Sequence, residues 1–254
     1  MKVKVLGCSG GIGGDSRTTS LLADNDILVD GGTGVGSLQL EELAQINHVF
    51  ITHSHLDHIA CIPLMVDSVG RMRDKPITIY ATHATLAALR GHIFNWEIWP
   101  DFSRIPDAKN PFMRYHPISI GKTINLDGRS ITPIPAEHVV PAVGYHLEGK
   151  ESSLIYTGDT TSHDPLWEYI NQIENLRYLL IESAFAESDH DIAVVSKHLC
   201  PSMLVDELRK LQRPAEIYIT HLKPGSVQQT MNEIQGKNRD WVLHALKNGD
   251  EFFL

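Results

Sequence analysis

Cysteine is scarce in this chain. Cys8, Cys61 and Cys200 are an odd three, far apart and without a C-x-x-C pair, which argues against a disulfide framework and for a reducing compartment. No apolar run approaches the ~18 residues that a membrane-spanning helix needs. Met1-Lys2-Val3-Lys4-Val5-Leu6-Gly7 turns glycine-rich too soon for the apolar stretch of a secretory signal, so the cytoplasm is the expected location and no membrane partner is expected. There is no run or stripe of basic residues either. The chain carries 31 acidic against 22 basic residues, and without a cationic footprint a long polynucleotide is a poor substrate. A small anionic substrate fits better. Repeats, low-complexity tracts and Pro/Gly/Ser-rich linkers are missing as well, so a single domain over 1–254 is expected.

Histidine, by contrast, is abundant: fourteen in 254 residues, an excess that needs a use. Four potential metal ligands fall within six consecutive residues in Thr52-His53-Ser54-His55-Leu56-Asp57-His58. Val49-Phe50-Ile51 before them reads as a short buried strand, whose extended exit can send His53 and His55 to one side. Asp57 and His58 fall where Leu56-Asp57-His58-Ile59-Ala60 can open a helix and turn toward a second point. Imidazole suits zinc, iron or manganese, and a carboxylate can bridge or complete a divalent site. A surface histidine cluster or a protonation switch would also be rich in this residue, but H-x-H-x-D-H is far more specific than either requires. The segment reads as a metal site.

Apolar runs predict strands at about 2–6, 19–23, 26–30, 48–52, 77–81, 130–135, 153–157, 178–181 and 216–220. Helical patterns fit about 35–45, 56–70, 83–94, 163–174, 192–211 and 226–246. Each half of the chain runs from strands into helices, which suits two β-sheets packed face to face with helices outside. The irregular segment 94–116, with three prolines and several aromatic rings, reads as a lid or substrate wall. Two nucleotide motifs fail. Gly7-Cys8-Ser9-Gly10-Gly11-Ile12-Gly13-Gly14 is not followed by a helix at dinucleotide-binding spacing, and Gly121-Lys122-Thr123 has His116 where a P-loop needs glycine.

Further polar residues end strand-like segments: His138 after Ile131–Pro135, Asp159 after Leu154–Thr157, and His221 after Glu216–Thr220. Singly, each is more often a capping or core residue. In the order H-x-H-x-D-H, His, Asp, His, they resemble the metallo-β-lactamase superfamily, whose fold is a four-layer αββα sandwich with its metals at one sheet edge. The resemblance runs from the strand before Gly7 to the helix after His221. It implies two divalent ions, zinc foremost, with manganese or iron also accepted by such ligands. One would be held by His53, His55 and His138, the other by Asp57, His58 and His221, with Asp159 bridging.

Several stretches look like class II cyclic-nucleotide phosphodiesterases: Gly7-Cys8-Ser9-Gly10-Gly11, Asp30-Gly31-Gly32-Thr33, Ile93-Phe94-Asn95 with Ile98-Trp99-Pro100, and Thr220-His221-Leu222-Lys223-Pro224. His53–Ala60 does too, although Cys61 stands where that family has Gly or Ser. Leu180-Ile181-Glu182-Ser183-Ala184-Phe185 and Ser196-Lys197-His198-Leu199 resemble segments of ribonuclease Z that carry catalytic residues. By that resemblance Glu182 orients His198, and His198 is a general acid; Asp57 joins them by anchoring the nucleophile. The expected reaction is hydrolysis of a 3′,5′-cyclic nucleotide to the 5′-monophosphate. A ribonuclease Z-like tRNA endonuclease, another hydrolase on the same fold and a non-enzymatic metal scaffold are the alternatives. A homodimer is the family expectation.

Overall fold

The computed structural model describes residues 1–254. Fourteen strands form two seven-stranded sheets. The first contains β1 (Lys2–Gly7), β2 (Ser20–Ala23), β3 (Ile27–Val29), β4 (His48–Phe50), β5 (Ile77–Ala81) and β6 (Met113–Pro117). The second contains β7 (Ile124–Leu126), β8 (Arg129–Pro135), β9 (Val143–Glu148), β10 (Ser153–Tyr156), β11 (Leu176–Glu182), β12 (Glu216–Thr220) and β13 (Leu243–Ala245). The last strand, β14 (Glu251–Phe253), returns to the first sheet and pairs antiparallel with β1. Each sheet changes from antiparallel to parallel pairing part-way across, at β3 in the first and β10 in the second.

Three apolar cores separate four layers. Between the sheets lie Val3, Val5, Val29 and Phe50 from one and Tyr145, Leu147, Leu154 and Leu180 from the other. On the outside of the first sheet, Leu28, Val49 and Ile79 meet Ile62, Met65 and Val66 of α3 (Ile62–Val69) and Leu86 and Leu89 of α4 (His83–His92). On the outside of the second, Ile155, Leu179 and Ile219 meet α5 (Asp164–Ile170), α7 (Pro201–Leu208) and α8 (Val227–Lys237). Strands buried on both faces read as continuous apolar runs, which is why Val49-Phe50-Ile51 and Leu179-Leu180-Ile181 stand out in the sequence. The result is the helix–sheet–sheet–helix sandwich that the sequence implies. No helix is long and apolar enough to cross a membrane.

Helix continuity departs from the periodic pattern at several places. The 56–70 pattern splits into α2 (Leu56–Ile59) and α3, because Cys61 N–H bonds the Gly31 carbonyl and Pro63 occupies the first turn of a new helix. The 192–211 pattern splits into α6 (His190–Ser196) and α7, with Lys197 left-handed at φ 52° and Pro201 opening the second piece. The 226–246 pattern stops at Lys237, and Leu243–Ala245 becomes an edge strand. The 35–45 pattern reduces to a 3₁₀ turn at Thr33–Ser37 and one short helix, α1 (Leu40–Leu43). Within 94–116, Phe94 and Phe102 are buried in the outer core of the first sheet, and Met113 begins β6, whereas Trp96 and Ile98 are exposed.

Candidate metal centre

The candidate ligands sit past the carboxyl ends of β4, β8, β10 and β12. In parallel neighbours these ends lie on one edge, so residues far apart in sequence arrive at a common point. His53 leaves β4 through Ile51 and Thr52, His55 is the N-cap of α2, and Asp57 and His58 lie in its single turn. His138 follows β8, Asp159 follows β10 through Gly158, and His221 follows β12. Gly158 has φ 63°, and a Cβ there would lie 2.9 Å from the Val143 carbonyl, so only glycine makes that turn comfortably.

Two ligand groups result, and they share Asp159. His53, His55, His138 and Asp159 form one; Asp57, His58, Asp159 and His221 form the other. Asp159 Oδ2 lies 3.7 Å from His53 Nε2 and 3.3 Å from His58 Nε2, while Oδ1 is 3.4 Å from His221 Nδ1. His55 Nδ1 and His138 Nε2 are 3.2 Å apart, and Asp57 Oδ2 is 3.7 Å from His221 Nε2. Bonds of about 2.1 Å to a tetrahedral ion put neighbouring ligand atoms about 3.4 Å apart, which is the spacing found. The second test is polar satisfaction. Buried His53 Nε2, His58 Nε2, His221 Nδ1 and both Asp159 oxygens have no hydrogen-bond partner in the protein. Buried polar atoms rarely go unpaired, and cations between these atoms would satisfy all of them. The donor set fits two divalent ions.

The opposite edges of the rings are fixed. His58 Nδ1 meets Asp30 Oδ2 at 2.7 Å, His53 Nδ1 meets Thr52 Oγ1 at 3.0 Å, and His138 Nδ1 meets the Lys197 carbonyl at 3.1 Å. Such contacts set the tautomer and leave Nε2 free for a metal. Asp30 is itself held by the Thr52 amide and hydroxyl and by Tyr156 Oη. In the sequence Asp30 stands out only as part of the stretch Asp30-Gly31-Gly32-Thr33. Its available signal is a charged residue at the end of an apolar strand, before two glycines, and it is fully buried with φ 58°.

Electrostatics follow from burial. Burial opposes ionisation of Asp159, but His221, His58 and His53 outweigh it and hold the carboxyl well below its usual range. Burial pushes His53 and His55 below the usual imidazole value and takes His138 and His221 down to about 4, so these rings are neutral and ready to donate. His58 is the exception: burial lowers it, yet Asp159 and Asp30 together hold it well above the ordinary value.

His198 and Glu182 arrive beside the ligands. His198 lies 4.8 Å from the His138 ring and stacks 5.3 Å from that of His221. Its Nδ1 meets Glu182 Oε1 at 2.7 Å. Glu182, fully buried, also accepts from the amides of Thr160, Ala184 and Leu199. Burial lifts this carboxyl, while the imidazole and the N–H groups favour its charged form. Burial prevails, with Asp159 adding to it, so the carboxyl sits above its usual value, while its four hydrogen-bond partners are all groups that donate to a carboxylate. Burial lowers His198, but Glu182 prevails and raises it above its ordinary value.

Comparison with known proteins finds related sequences and folds. A family model described as "Beta-lactamase superfamily domain" matches residues 25–222. The chain is 26% identical over 231 residues to a probable 3′,5′-cyclic-nucleotide phosphodiesterase of Yersinia pestis, covering 81% of this chain and 64% of that one; it thus spans less than two thirds of that relative. A ribonuclease Z of Methanocaldococcus jannaschii is 30% identical over 102 residues, 40% of this chain and 30% of that one. The crystal structure of unliganded yeast PDE1 superposes with a TM-score of 0.83 at 18% identity, covering 100% of this chain and 99% of that one.

Proposed function

The chain belongs to the metallo-β-lactamase superfamily, and from that premise we propose that it is a binuclear, zinc-loaded phosphodiesterase that hydrolyses 3′,5′-cyclic nucleotides to nucleoside 5′-monophosphates. The coarser part of this reading, a metal-dependent hydrolase with a His/Asp metal site and distant kinship to cyclic-nucleotide phosphodiesterases, is carried by the family match and the ligand geometry together. The Glu182–His198 pair beside the ligands supports phosphodiester cleavage by general-acid catalysis, and the similarity to cyclic-nucleotide phosphodiesterases supports the choice of substrate.

When bound, two divalent ions supply Lewis-acid polarisation of phosphoryl oxygens and a water acidified toward neutral pH. The protein's own groups do the rest. Asp159 and Asp57 would help hold the ions, and Asp57 would anchor the attacking water by a hydrogen bond. As water adds to phosphorus the P–O3′ bond breaks, the water's proton is given up to solvent, and the 3′ oxygen leaves as a hydroxyl. An alkoxide is a poor leaving group, so a proton delivered to that oxygen accelerates the step. His198 can deliver it: Glu182 occupies Nδ1 and raises the ring's affinity for a proton, leaving Nε2–H as the donor. Glu182 is then a positioning residue.

A ribonuclease Z-like activity on pre-tRNA is the second reading, favoured by the local match to ribonuclease Z. A hydrolysis panel of cAMP, cGMP, 2′,3′-cyclic nucleotides, bis-p-nitrophenyl phosphate and pre-tRNA, with metal analysis of the same sample, separates the two. The expected outcome is two metals per chain and turnover of 3′,5′-cyclic nucleotides. Efficient 3′ trimming of pre-tRNA with little action on cyclic nucleotides would reverse the ranking, and two bound metals without any turnover would leave a metal scaffold.

A further inference from the structure

Four basic residues face one cleft of about 400 Å³, three from the segment Arg71-Met72-Arg73-Asp74-Lys75 and one, Arg114, brought to it by the fold. Four cations line it, Arg71, Arg73, Lys75 and Arg114, against one carboxylate, Asp74. Arg71 and Arg73 come from the chain leaving α3, Lys75 is separated from β5 by Pro76 alone, and Arg114 lies on β6 in register with Thr78. Arg73 is committed to structure, since its guanidinium bonds the Ala44 carbonyl and Asn47 Oδ1. Arg71, Lys75 and Arg114 are exposed, and none pairs with a carboxylate. In a chain with net charge −9, three unpaired cations facing one cleft make a local positive field that draws anions.

The walls add a shape. Pro76, Pro106 and Pro111 line the cleft, and their fixed φ angles limit its freedom to collapse. The ring of Phe112 seats against Gly70, where a Cβ would come within 2.6 Å of it, so the glycine lets an aromatic wall sit flush with the backbone. Cations beside one aromatic face suit a ligand with a phosphate and a flat ring. The volume exceeds what a lone phosphate would fill and lies within the range of small-molecule sites, roughly 300–1,000 Å³. The cations converge on one cleft and do not track along the surface as a polynucleotide groove would.

The cleft is remote from the metals. The ligand motif follows the carboxyl end of β4, while Lys75 and Pro76 stand at the amino end of its parallel neighbour β5. A five-residue strand is about 16 Å long, so the two places lie on opposite edges of the first sheet. We propose that this cleft is a second binding site, separate from the metal centre, for a phosphorylated ligand of nucleotide size. It stands whether or not the metal centre hydrolyses cyclic nucleotides.

Calorimetric titration of the metal-loaded protein with AMP tests this. AMP should bind with an affinity that falls at least about tenfold in Arg71→Gln/Lys75→Gln, the worth of one or two charge-assisted hydrogen bonds. Arg114→Gln, a single exposed change, should weaken binding in the same direction. Inorganic phosphate should compete, adenosine should not bind there, and metal content and diester turnover should stay at wild-type levels in both variants. Unchanged AMP affinity in both variants would overturn the proposal, because the AMP would then be held at the metal centre. An oligonucleotide whose binding is lost in the variants while AMP binding is unaffected would also overturn it, marking the cleft as a nucleic-acid contact.

Discussion

Glu182 and His198 form a unit in which neither side chain has another role open to it. The carboxylate has three backbone donors and one imidazole, and the imidazole has one ring nitrogen left for a substrate. His198→Ala should therefore keep both metals and lose about 10²–10⁴-fold in rate on cAMP, the usual worth of a general acid. The loss should be much smaller on bis-p-nitrophenyl phosphate, whose leaving group departs without a proton. The sign of the pH effect follows from the raised imidazole. The protonated ring is the working form, so the rate falls as pH rises through its folded-state pKa. Glu182→Gln removes the charge that raises it and should move that falling limb to lower pH. Equal losses on both substrates, or metal loss from His198→Ala, would assign this histidine another job. At this scale the ligands were the legible part, because few residue types bind metals and their order along the chain is specific. Asp30 and Thr52 were not legible, since orienting a ring from behind demands only a hydrogen-bonding group in the right place, and that place exists only after folding.

The loops at the carboxyl ends of the strands bring the ligands together, and their own packing sets how well. Gly10, in the loop after β1, lies so close to His221 that a Cβ would fall 2.4 Å from its carbonyl oxygen and 2.9 Å from ring Cδ2. Gly10→Ala should push the His221 ring off its position and weaken metal binding in the group containing Asp57 and His58, while far-ultraviolet circular dichroism stays native. Metal content per chain after dialysis at fixed free zinc is the measurement, with a fall from two toward one expected; two retained ions would show that the loop yields instead. The sequence read this glycine-rich loop correctly as no dinucleotide motif, and its physical purpose emerges only from the contact. Strands with unbroken apolar runs were readable, β3 and β4 among them. The sequence pattern misses β6 (Met113–Pro117) and β9 (Val143–Glu148), where Arg114, His116, Gly144 and His146 interrupt the apolar run although β9 is buried, and it misses three-residue β7, β13 and β14. The breaks in the helical patterns at Cys61 and Lys197 come from tertiary hydrogen bonds and a left-handed turn, which periodicity does not encode.

Over the whole molecule, the ligands join the two sheets: His53, His55, Asp57 and His58 follow the first, and His138, Asp159 and His221 follow the second. Ions bound there cross-link the sandwich, so their removal should lower the melting temperature. At a free metal concentration 100 times Kd, each site adds about 2.7 kcal/mol, worth roughly 5–10 °C in a chain of this size. The effect should depend on pH in a definite direction. His53, His55, His138 and His221 are held below the ordinary imidazole value and bind as neutral rings at pH 7, but His58 is held above it and must release a proton. In the metal-free protein the raised His58 contributes stability that is fully present below its unfolded pKa and is lost as pH rises through its folded one. Metal binding is hindered by that same proton and strengthens over that rise. That strengthening of metal binding widens the gap between metal-loaded and chelator-treated melting temperatures as pH increases from 6 to 8. Calorimetry in buffers of different ionisation enthalpy should find about one proton released on filling the Asp57/His58/His221 group and little on filling the other. A gap that narrows with pH, or proton release spread evenly over both groups, would mean that His58 is neutral before the metal arrives and that Asp30 orients it without charging it.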